Sequence, residues 1–270
     1  MRLNQSQVDA YRSHGFLLLE SLLNQQEVEA LRLAFARDSK VPGPQVVTEG
    51  DGAEVRAVYS SHQRQPECAG LTRDPRILQP VQQLLSDDVY IYQFKINAKA
   101  AFGGDKWAWH QDYLAWRLAD GLPAPRQVNV AVFLDEVTEF NGPVIFLPGS
   151  HGGGLVREGR ADAARSEQHL DPDDISLGPQ QLAECVDRHG MTSPKGSAGS
   201  VVFFSPEIVH GSAPNMSPFT RRLLIATYND VTNLPRPAGE ARPDYVVCRN
   251  TEPLRALPAP FSETLAAVTV

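Results

Sequence analysis

Three side chains in this sequence have the types and the spacing that metal binding requires. His110 and Asp112 follow an aromatic stretch, and residues i and i+2 of a β-strand point to the same face. An imidazole and a carboxylate can therefore meet at one point. His210 comes after the apolar segment 201–204, and a strand there would bring a second imidazole to that point. Two histidines and one carboxylate on one face of a metal leave positions open, a pattern typical of non-haem Fe(II).

Arg221 strengthens this interpretation. A His-x-Asp pair alone is a weak indication, because two polar residues on a solvated strand face give the same pattern. Arg221 follows His210 after a proline-containing turn and begins a strand-like segment that continues to residue 228. An arginine at the mouth of an apolar strand can bind a dicarboxylate through two parallel hydrogen bonds. The alternatives are a surface arginine and an arginine at the core edge paired with an aspartate.

A fourth motif connects these residues to a known family. Residues 142–151 read Gly-Pro-Val-Ile-Phe-Leu-Pro-Gly-Ser-His. With His110-x-Asp112, His210 and Arg221 in this order and spacing, the chain resembles the phytanoyl-CoA dioxygenase family of Fe(II)/2-oxoglutarate oxygenases from about residue 8 to residue 228. The resemblance implies a mainly β fold with flanking helices, built on a double-stranded β-helix of the jelly-roll or cupin type. It also implies Fe(II), the cosubstrate 2-oxoglutarate and O₂.

The resemblance further implies roles for individual residues. His110, Asp112 and His210 would hold the iron as catalytic ligands, and Arg221 would bind the distal carboxylate of 2-oxoglutarate. The other residues expected at the cosubstrate are Asn129, Ser212, Asn97 and Gln93. The residues expected at the substrate are Trp116, Tyr113, His169, Leu170, Leu223 and Arg242. For Arg242, which would fold back over the barrel mouth to a substrate carboxylate, surface exposure is the alternative.

Longer matches narrow the substrate. A resemblance to bacterial hydroxylases of free L-leucine at C5, which supply peptide natural products, rests on segments 59–62, 94–97, 102–105, 120–126 and 137–143. The context of His110 and Trp116 also resembles the ectoine-hydroxylase branch. That branch has a polar substrate contact two residues beyond the arginine, whereas this chain has Leu223, which favours an apolar group. We therefore expect a free aliphatic amino acid, L-leucine, hydroxylated at a remote carbon, with ectoine and proline as alternatives.

Two other classes of protein remain open. The fold could serve as a metal-free binding module, although a complete set of ligands together with Arg221 disfavours it. Two histidines and an aspartate could also hold zinc in a hydrolase, which would form no succinate. A substrate test separates these classes from an oxygenase.

Composition disfavours several partners. The 270 residues carry a net charge of −7 without a long basic block, which disfavours nucleic acid and anionic membranes. No apolar run approaches the roughly 20 residues that span a bilayer, and segment 16–19 is too short for a signal peptide. Three widely spaced cysteines disfavour a disulfide framework or a zinc ribbon. We expect a cytoplasmic monomer whose partner is a small-molecule substrate.

Hydrophobic periodicity predicts the elements that position these residues. Helices are expected at 6–12, 25–38, 74–85 and 179–189. Strands are expected at 16–19, 55–59, 89–99, 126–134, 144–147, 201–204 and 222–228. The strand at 55–59 is expected at a sheet edge, and 40–52 is expected to be loop, because its Pro-Gly-Pro breaks regular structure. Strict alternation along 89–99 would place its tyrosines opposite the face that carries Gln93 and Asn97.

The chain is expected to form one oxygenase domain over residues 1–270. Residues 1–85 would supply helical support for the barrel. Residues 152–200 are polar and interrupt the rhythm of strands, and they carry His169 and Leu170. An insertion between barrel strands is expected to act as a lid, since loops on a rigid scaffold often carry specificity.

Overall fold

The first two helices begin at asparagines whose side chains satisfy the backbone. Helix α1 (Gln5–His14) is capped by Asn4, which accepts a hydrogen bond from the third helical N–H. Helix α2 (Gln25–Asp38) is capped in the same way by Asn24, and the Glu27 carboxylate accepts a hydrogen bond from the Asn24 N–H at 2.9 Å. These reciprocal caps satisfy N–H groups that have no partner within the helix.

The computed structural model of the chain describes residues 1–50, 52, 54–156 and 175–268. The other helices are α3 (Pro66–Thr72), α4 (Pro75–Leu85), α5 (Asp112–Asp120), α6 (Pro179–His189) and α7 (Phe261–Val268). The strands are β1 (Phe16–Leu19), β2 (Val46–Thr48), β3 (Val55–Tyr59), β4 (Val89–Lys99), β5 (Trp107–His110), β6 (Gln127–Phe133), β7 (Val144–Phe146), β8 (Val201–Phe204), β9 (His210–Ser212) and β10 (Arg221–Asp230). None of the helices described is long and apolar enough to cross a membrane.

The strands form two antiparallel sheets. The larger has the order β1-β8-β6-β10-β4-β3-β2, and the smaller has the order β5-β9-β7. Phe146 of the smaller sheet packs against Phe204 of the larger, with ring centroids 5.3 Å apart, and Leu223 belongs to the same cluster. Two facing antiparallel sheets make the jelly-roll architecture. The mainly β, cupin-like fold predicted from the sequence is confirmed.

Most expected elements are present, and two expectations are corrected. Strand β3 is not at an edge, because it pairs with both β2 and β4. The edge is β2, which lies inside the region expected to be loop. The sequence break ends at Pro44, and the Val-Val-Thr that follows is rich in β-branched residues suited to a strand.

Strand β4 contains a β-bulge. Gln93 lies opposite Thr227 of β10, and Ile91 lies opposite Tyr228, so Tyr92 is the extra residue. The bulge reverses the alternation. The tyrosines before it join the cluster beside the site, whereas the apolar residues after it face the main core. The strand alternates on each side of the bulge but changes phase at it, so the tyrosines lie on the side of Gln93 and Asn97 and not opposite them as expected.

The main core lies between the helices and the outer face of the larger sheet. Leu31 of α2 and Leu78 of α4 are fully buried there with Val130 and Phe203. Residues 1–85 supply β1, β2 and β3 to the larger sheet as well as helices. The described part of the expected lid contains α6, and the lid itself stays a prediction.

A buried charge network joins α2, α4 and α7. Arg76 contacts Glu27 at 2.6 Å and Asp74 at 2.8 Å, and both carboxylates are fully buried. Asp74 also accepts from the Phe261 N–H at 2.9 Å. Burial alone would raise the pKa of Glu27, but hydrogen bonds from Arg76, Asn24 and Ser262 lower it overall. The network therefore depends on the arginine as a counter-ion.

Replacing Arg76 with methionine should destabilise the fold by about 3–5 kcal/mol, because it leaves two buried carboxylates without their cation. Urea unfolding of the wild type and of Arg76→Met measures this loss. Because the folded-state pKa of Glu27 is lowered from 4.5, the wild-type advantage is present above that pH and is lost on acidification.

Arg73→Met is the matched control, since Arg73 is exposed and its side chain donates, among the described residues, only to the Arg255 carbonyl. We expect this control to stay close to the wild type in free energy of unfolding. Equal losses for the two variants would contradict the assigned role of the network.

Candidate active site

Two short strands of the smaller sheet place the histidines side by side. His110 ends β5 and His210 begins β9, and the antiparallel register sets them directly opposite each other. Their ring centroids are 4.3 Å apart, and both residues are buried. Directly opposite residues of a ladder share one face, so both imidazoles point to the same side.

Asp112 reaches the histidines from a helix, not from the strand expected from the His-x-Asp spacing. It is the first residue of α5, and its carboxylate oxygens lie 3.4 Å from His110 Nε2 and 3.8 Å from His210 Nε2. The strand ends because the chain turns at Gln111, which is buried and donates to the Glu207 carbonyl at 2.6 Å. An acidic residue is also favourable in the first turn of a helix.

The donor atoms of these three residues fit a divalent metal ion. They all lie within 4.8 Å of one another. His110 Nδ1 is 2.6 Å from the Ala108 carbonyl, and His210 Nδ1 is 3.0 Å from the Ile208 carbonyl. Because a carbonyl can only accept, Nδ1 carries the proton in each ring. Each Nε2 therefore keeps its lone pair for a metal.

Electrostatics favour the protonation states that metal binding requires. Burial, together with His110 and partly offset by Asp112, lowers the pKa of His210 to about 4, so this ring is neutral near pH 7. Burial alone would raise the pKa of Asp112, but His210, His110 and Lys95 lower it well below its usual range. The carboxylate is therefore ionised beside a neutral imidazole.

Asn129 orients Asp112. On β6, its Nδ2 donates to Asp112 Oδ2 at 2.8 Å, and its Oδ1 accepts from Thr227 Oγ1 at 2.6 Å. The register places Asn129 opposite Thr227, so both polar atoms of the carboxamide form hydrogen bonds within the protein. Asn129 thus contacts a candidate metal ligand, and its expected contact with 2-oxoglutarate stays a prediction.

A cavity opens beside the three candidate ligands, between the two sheets. Its empty volume is about 870 Å³, which includes open solvent at its mouth. Most residues assigned from the sequence to cosubstrate or substrate line this cavity. They are Gln93, Asn97, Trp116, Ser212, Arg221, Leu223 and Arg242.

Tyr113 lies on α5 but away from the cavity. Its hydroxyl donates to the Leu122 carbonyl at 3.4 Å, and its ring is buried in a neighbouring cluster. Trp116 follows Asp112 by one helical turn and shares its face, whereas Tyr113 points elsewhere. Tyr113 is therefore not among the residues that line the cavity, and its expected substrate contact stays a prediction. His169 and Leu170 lie outside the described residues.

Arg221 is a buried cation without a carboxylate partner among the residues described. It is 2% exposed, its Nη2 donates to the Gly142 carbonyl, and its Nε has no partner. Burial lowers the pKa of Arg221 to about 10, so the guanidinium stays charged at neutral pH. A buried charge without a counter-ion is costly. In the wall of a cavity it indicates a site for an anion.

Arg242 is held at the cavity wall by a carboxylate. Its Nε donates to Asp120 Oδ1 at 2.8 Å, its Nη2 donates to the other oxygen, and the Tyr92 hydroxyl donates to the same carboxylate. The Arg242 side chain is only 10% exposed, which excludes the surface alternative. Its Nη1 forms no hydrogen bond with a described residue, so it can still bind a ligand.

Two lysines of β4 were missed by the sequence-based assignment. Lys95 lines the cavity and has no hydrogen-bond partner within the described chain, and burial lowers its pKa. Lys99 is 1% exposed and contacts Ser212. The sequence held a signal for both lysines, because Lys95, Asn97 and Lys99 are two residues apart and therefore lie on one face of the strand. Asp120 carried no such signal, since its partner is remote in sequence.

Comparisons with known proteins agree with this geometry. The family model described as phytanoyl-CoA dioxygenase (PhyH) matches residues 11–223. The chain belongs to the phytanoyl-CoA dioxygenase family. It is 38% identical over 249 residues to an L-proline trans-4-hydroxylase of Streptomyces griseoviridis, covering 90% of this chain and 92% of that protein. It is 34% identical over 260 residues to an ectoine dioxygenase of Bordetella bronchiseptica, covering 92% and 83%.

Solved structures extend this comparison. This phytanoyl-CoA dioxygenase family member superposes on EctD from S. alaskensis, crystallised with 2-oxoglutarate and 5-hydroxyectoine, with a TM-score of 0.83 and 30% identity. The match covers 96% of this chain and 89% of EctD. EctD with bound Fe gives a TM-score of 0.82. Family, fold and metal-binding cluster agree on an iron- and 2-oxoglutarate-dependent dioxygenase.

Replacing Asn129 with alanine should weaken metal binding by about 10–100-fold, the usual effect of losing a group that orients a metal ligand. Titration of the metal-free protein with Fe(II) under nitrogen measures the affinity. Gln127→Ala is the matched control, because Gln127 is a buried carboxamide on the same strand that contacts Asn229. Unchanged metal affinity with weakened 2-oxoglutarate binding would instead support the contact with 2-oxoglutarate that the sequence predicts for Asn129.

Proposed function

We propose that this protein hydroxylates an unactivated C–H bond of a free aliphatic L-amino acid, with L-leucine at C5 as the substrate and position. One observation carries the proposal. A single cavity is lined by the candidate metal triad, by the buried and unpaired Arg221, by apolar side chains and by Arg242, which Asp120 holds in place. The product would be a building block for peptide natural products.

The residues of the cavity fit the metal and the cosubstrate. His110, Asp112 and His210 would hold Fe(II) through two Nε2 atoms and a carboxylate. The unpaired Nε of Arg221 supports binding of the distal carboxylate of 2-oxoglutarate there. Ser212 lines the cavity with it, two residues beyond His210 on the same face of β9.

Iron and 2-oxoglutarate together supply the oxidising power for C–H hydroxylation, consuming O₂ and releasing succinate and CO₂. The protein binds, orients and shields the reactants. The Nδ1–H groups of the two histidines donate to the Ala108 and Ile208 carbonyls, which fixes both rings. Asn129 holds the carboxylate of Asp112 in place, and the two sheets enclose the site on either side.

The cavity lining supports an amino acid as the substrate. Arg242 offers its Nη1 to a carboxylate, and Trp116, Ile175, Leu223 and Ile225 form an apolar wall. Leu223 is 2% exposed and cannot donate or accept a hydrogen bond, which disfavours a polar group at that position. A zwitterion with a branched aliphatic side chain matches one charged end and one apolar end.

Proline is the second candidate. The chain is 38% identical to a protein named L-proline trans-4-hydroxylase, and proline also combines a carboxylate with an apolar ring. Ectoine is disfavoured by Leu223. Apolar pockets discriminate by only about 1–3 kcal/mol per methylene, so related aliphatic amino acids should be accepted in part.

Leucine should stimulate succinate formation. Protein reloaded with Fe(II) under nitrogen is mixed with 2-oxoglutarate and air, and succinate is measured with leucine, isoleucine, valine, proline or ectoine. We expect the largest stimulation with leucine, together with a leucine product heavier by one oxygen atom. His210→Ala should abolish both, because it removes a metal ligand.

The other outcomes are distinct. Succinate coupled only to proline or ectoine would overturn the leucine assignment and keep the enzyme class. No succinate with any partner, despite bound iron, would favour a binding module or a zinc hydrolase.

Arg242→Met should raise the KM for leucine by about 10–100-fold, the size expected for a lost hydrogen bond to a charged group. The KM for 2-oxoglutarate should stay near the wild-type value, because that cosubstrate is assigned to Arg221. Arg236→Met is the matched control, since Arg236 is exposed and contacts Asp120 only through its backbone N–H. An unchanged KM for leucine would remove Arg242 from the substrate site.

A further inference from the structure

Two buried basic side chains face each other beside the cavity. Lys99 of β4 lies directly opposite Arg221 of β10 in the antiparallel register. Lys99 is 1% exposed and Arg221 is 2% exposed. No ion pair joins either of them to an aspartate or glutamate in the part of the chain that the structure describes. Two positive charges directly opposite on a sheet are destabilising, so both groups can be charged together only when an anion lies nearby.

The surroundings of Lys99 disfavour its charged form. Burial lowers the pKa of Lys99 to about 6, helped by Arg221 and Arg56. Asp105 and Glu49 act in the opposite direction and do not compensate. The amine is therefore largely neutral at physiological pH in the free protein, and an anion bound nearby would raise its pKa.

Lys99 reaches the cavity through Ser212. Its Nζ donates to Ser212 Oγ at 2.9 Å and also to the Ala213 carbonyl. Ser212 lines the cavity together with Arg221, whereas Lys99 lies behind them. Because Ser212 Oγ accepts from Lys99, its own hydroxyl hydrogen is left to be donated towards the cavity.

Gly142 lies close to both Lys99 and Arg221. Arg221 donates to its carbonyl, and a Cβ on Gly142 would lie 3.2 Å from Lys99 Nζ and 2.6 Å from the Ala213 carbonyl. Its φ of +70° also favours glycine. This first glycine of the Gly-Pro motif therefore allows the lysine and the arginine to approach the same place.

We propose that Lys99 is a positioning residue for the cosubstrate: it directs the Ser212 hydroxyl towards the carboxylate that Arg221 binds and places a second positive charge behind it. The inference rests on the proposed function, in which the distal carboxylate of 2-oxoglutarate lies at Arg221. It adds a residue that does not touch the ligand and acts through its neighbour.

Binding of two ligands separates this role from a structural one. 2-Oxoglutarate and 2-oxopentanoate, which has the same chain length but no distal carboxylate, are titrated calorimetrically into Fe(II)-loaded protein under nitrogen. Lys99→Met should weaken 2-oxoglutarate about tenfold, as for one hydrogen bond to a charged group, and leave 2-oxopentanoate unchanged. A purely structural role would change both affinities alike or neither.

A double-mutant cycle tests whether Lys99 acts through Ser212. Ser212→Ala should weaken 2-oxoglutarate to a similar extent, and the double variant should be little worse than either single variant. Lys99→Gln keeps a donor for Ser212 without the charge, and it should fall between the wild type and Lys99→Met. Additive losses would contradict action through the serine.

The wild-type protein alone provides a further test. At about pH 8, between the lowered pKa of Lys99 and its ordinary value, binding of 2-oxoglutarate should take up about one proton per site. Calorimetry in buffers of different ionisation enthalpy measures this uptake, which Lys99→Met should abolish. The sign requires 2-oxoglutarate affinity to rise as the pH falls towards 6.

Failure of the inference differs from failure of the proposed function. If wild-type protein binds 2-oxoglutarate without proton uptake and Lys99→Met binds it equally well, Lys99 has no positioning role. If the wild type does not bind 2-oxoglutarate at all, the assignment of the cosubstrate itself is overturned.

Discussion

The pairing of β10 with β4 decides where most polar groups of the site lie. Strand β10 is interior in the larger sheet, between β6 and β4. Its register sets Arg221 opposite Lys99 on one side and Thr227 opposite Asn129 on the other. A slip of one residue would turn this whole row to the opposite face. The row ends at the bulge at Tyr92. In the part of β4 that precedes the bulge, tyrosines occupy the face that carries amides and lysines after it.

This row makes the cavity locally basic in a chain whose net charge is −7. Lys95 and Arg221 line the cavity, Lys99 lies behind it, and Asp120 neutralises only Arg242. The charge of Arg221, buried without a counter-ion among the described residues, raises the free energy of the empty site. An anionic ligand removes that penalty, so its binding should also stabilise the fold. The same buried charge thus lowers the stability of the empty protein and raises its affinity for an anionic ligand, as is common at functional sites.

Local sequence signals predicted much of this molecule, and non-local contacts account for what they missed. Apolar strands and amphipathic helices are encoded by neighbouring residues, so β8 and α2 could be placed from the sequence alone. The bulge at Tyr92 depends on the partner strand, and strict alternation could not reveal it. The contact of Asn129 with Asp112 depends on how β6 meets α5. The family resemblance supplied the order of the ligands but not the change from strand to helix at Gln111.

That change matters for how a substrate is held. Asp112, Trp116 and Asp120 follow one another at intervals of four along α5, so they share one face of the helix. The first is a candidate metal ligand, the second is a wall of the cavity, and the third anchors Arg242.

One rigid element therefore sets the distance between the metal position and the arginine assigned to the substrate carboxylate. Eight residues at about 1.5 Å each separate Asp112 from Asp120 by about 12 Å. A substrate amino acid, together with the Arg242 side chain that contacts Asp120, would bridge this span. In the proposed binding mode, a substrate carboxylate at Arg242 would direct the far end of the side chain, not Cα, towards the metal position. The spacing along α5 thus supports the proposed hydroxylation at a remote carbon as much as the lining of the cavity does.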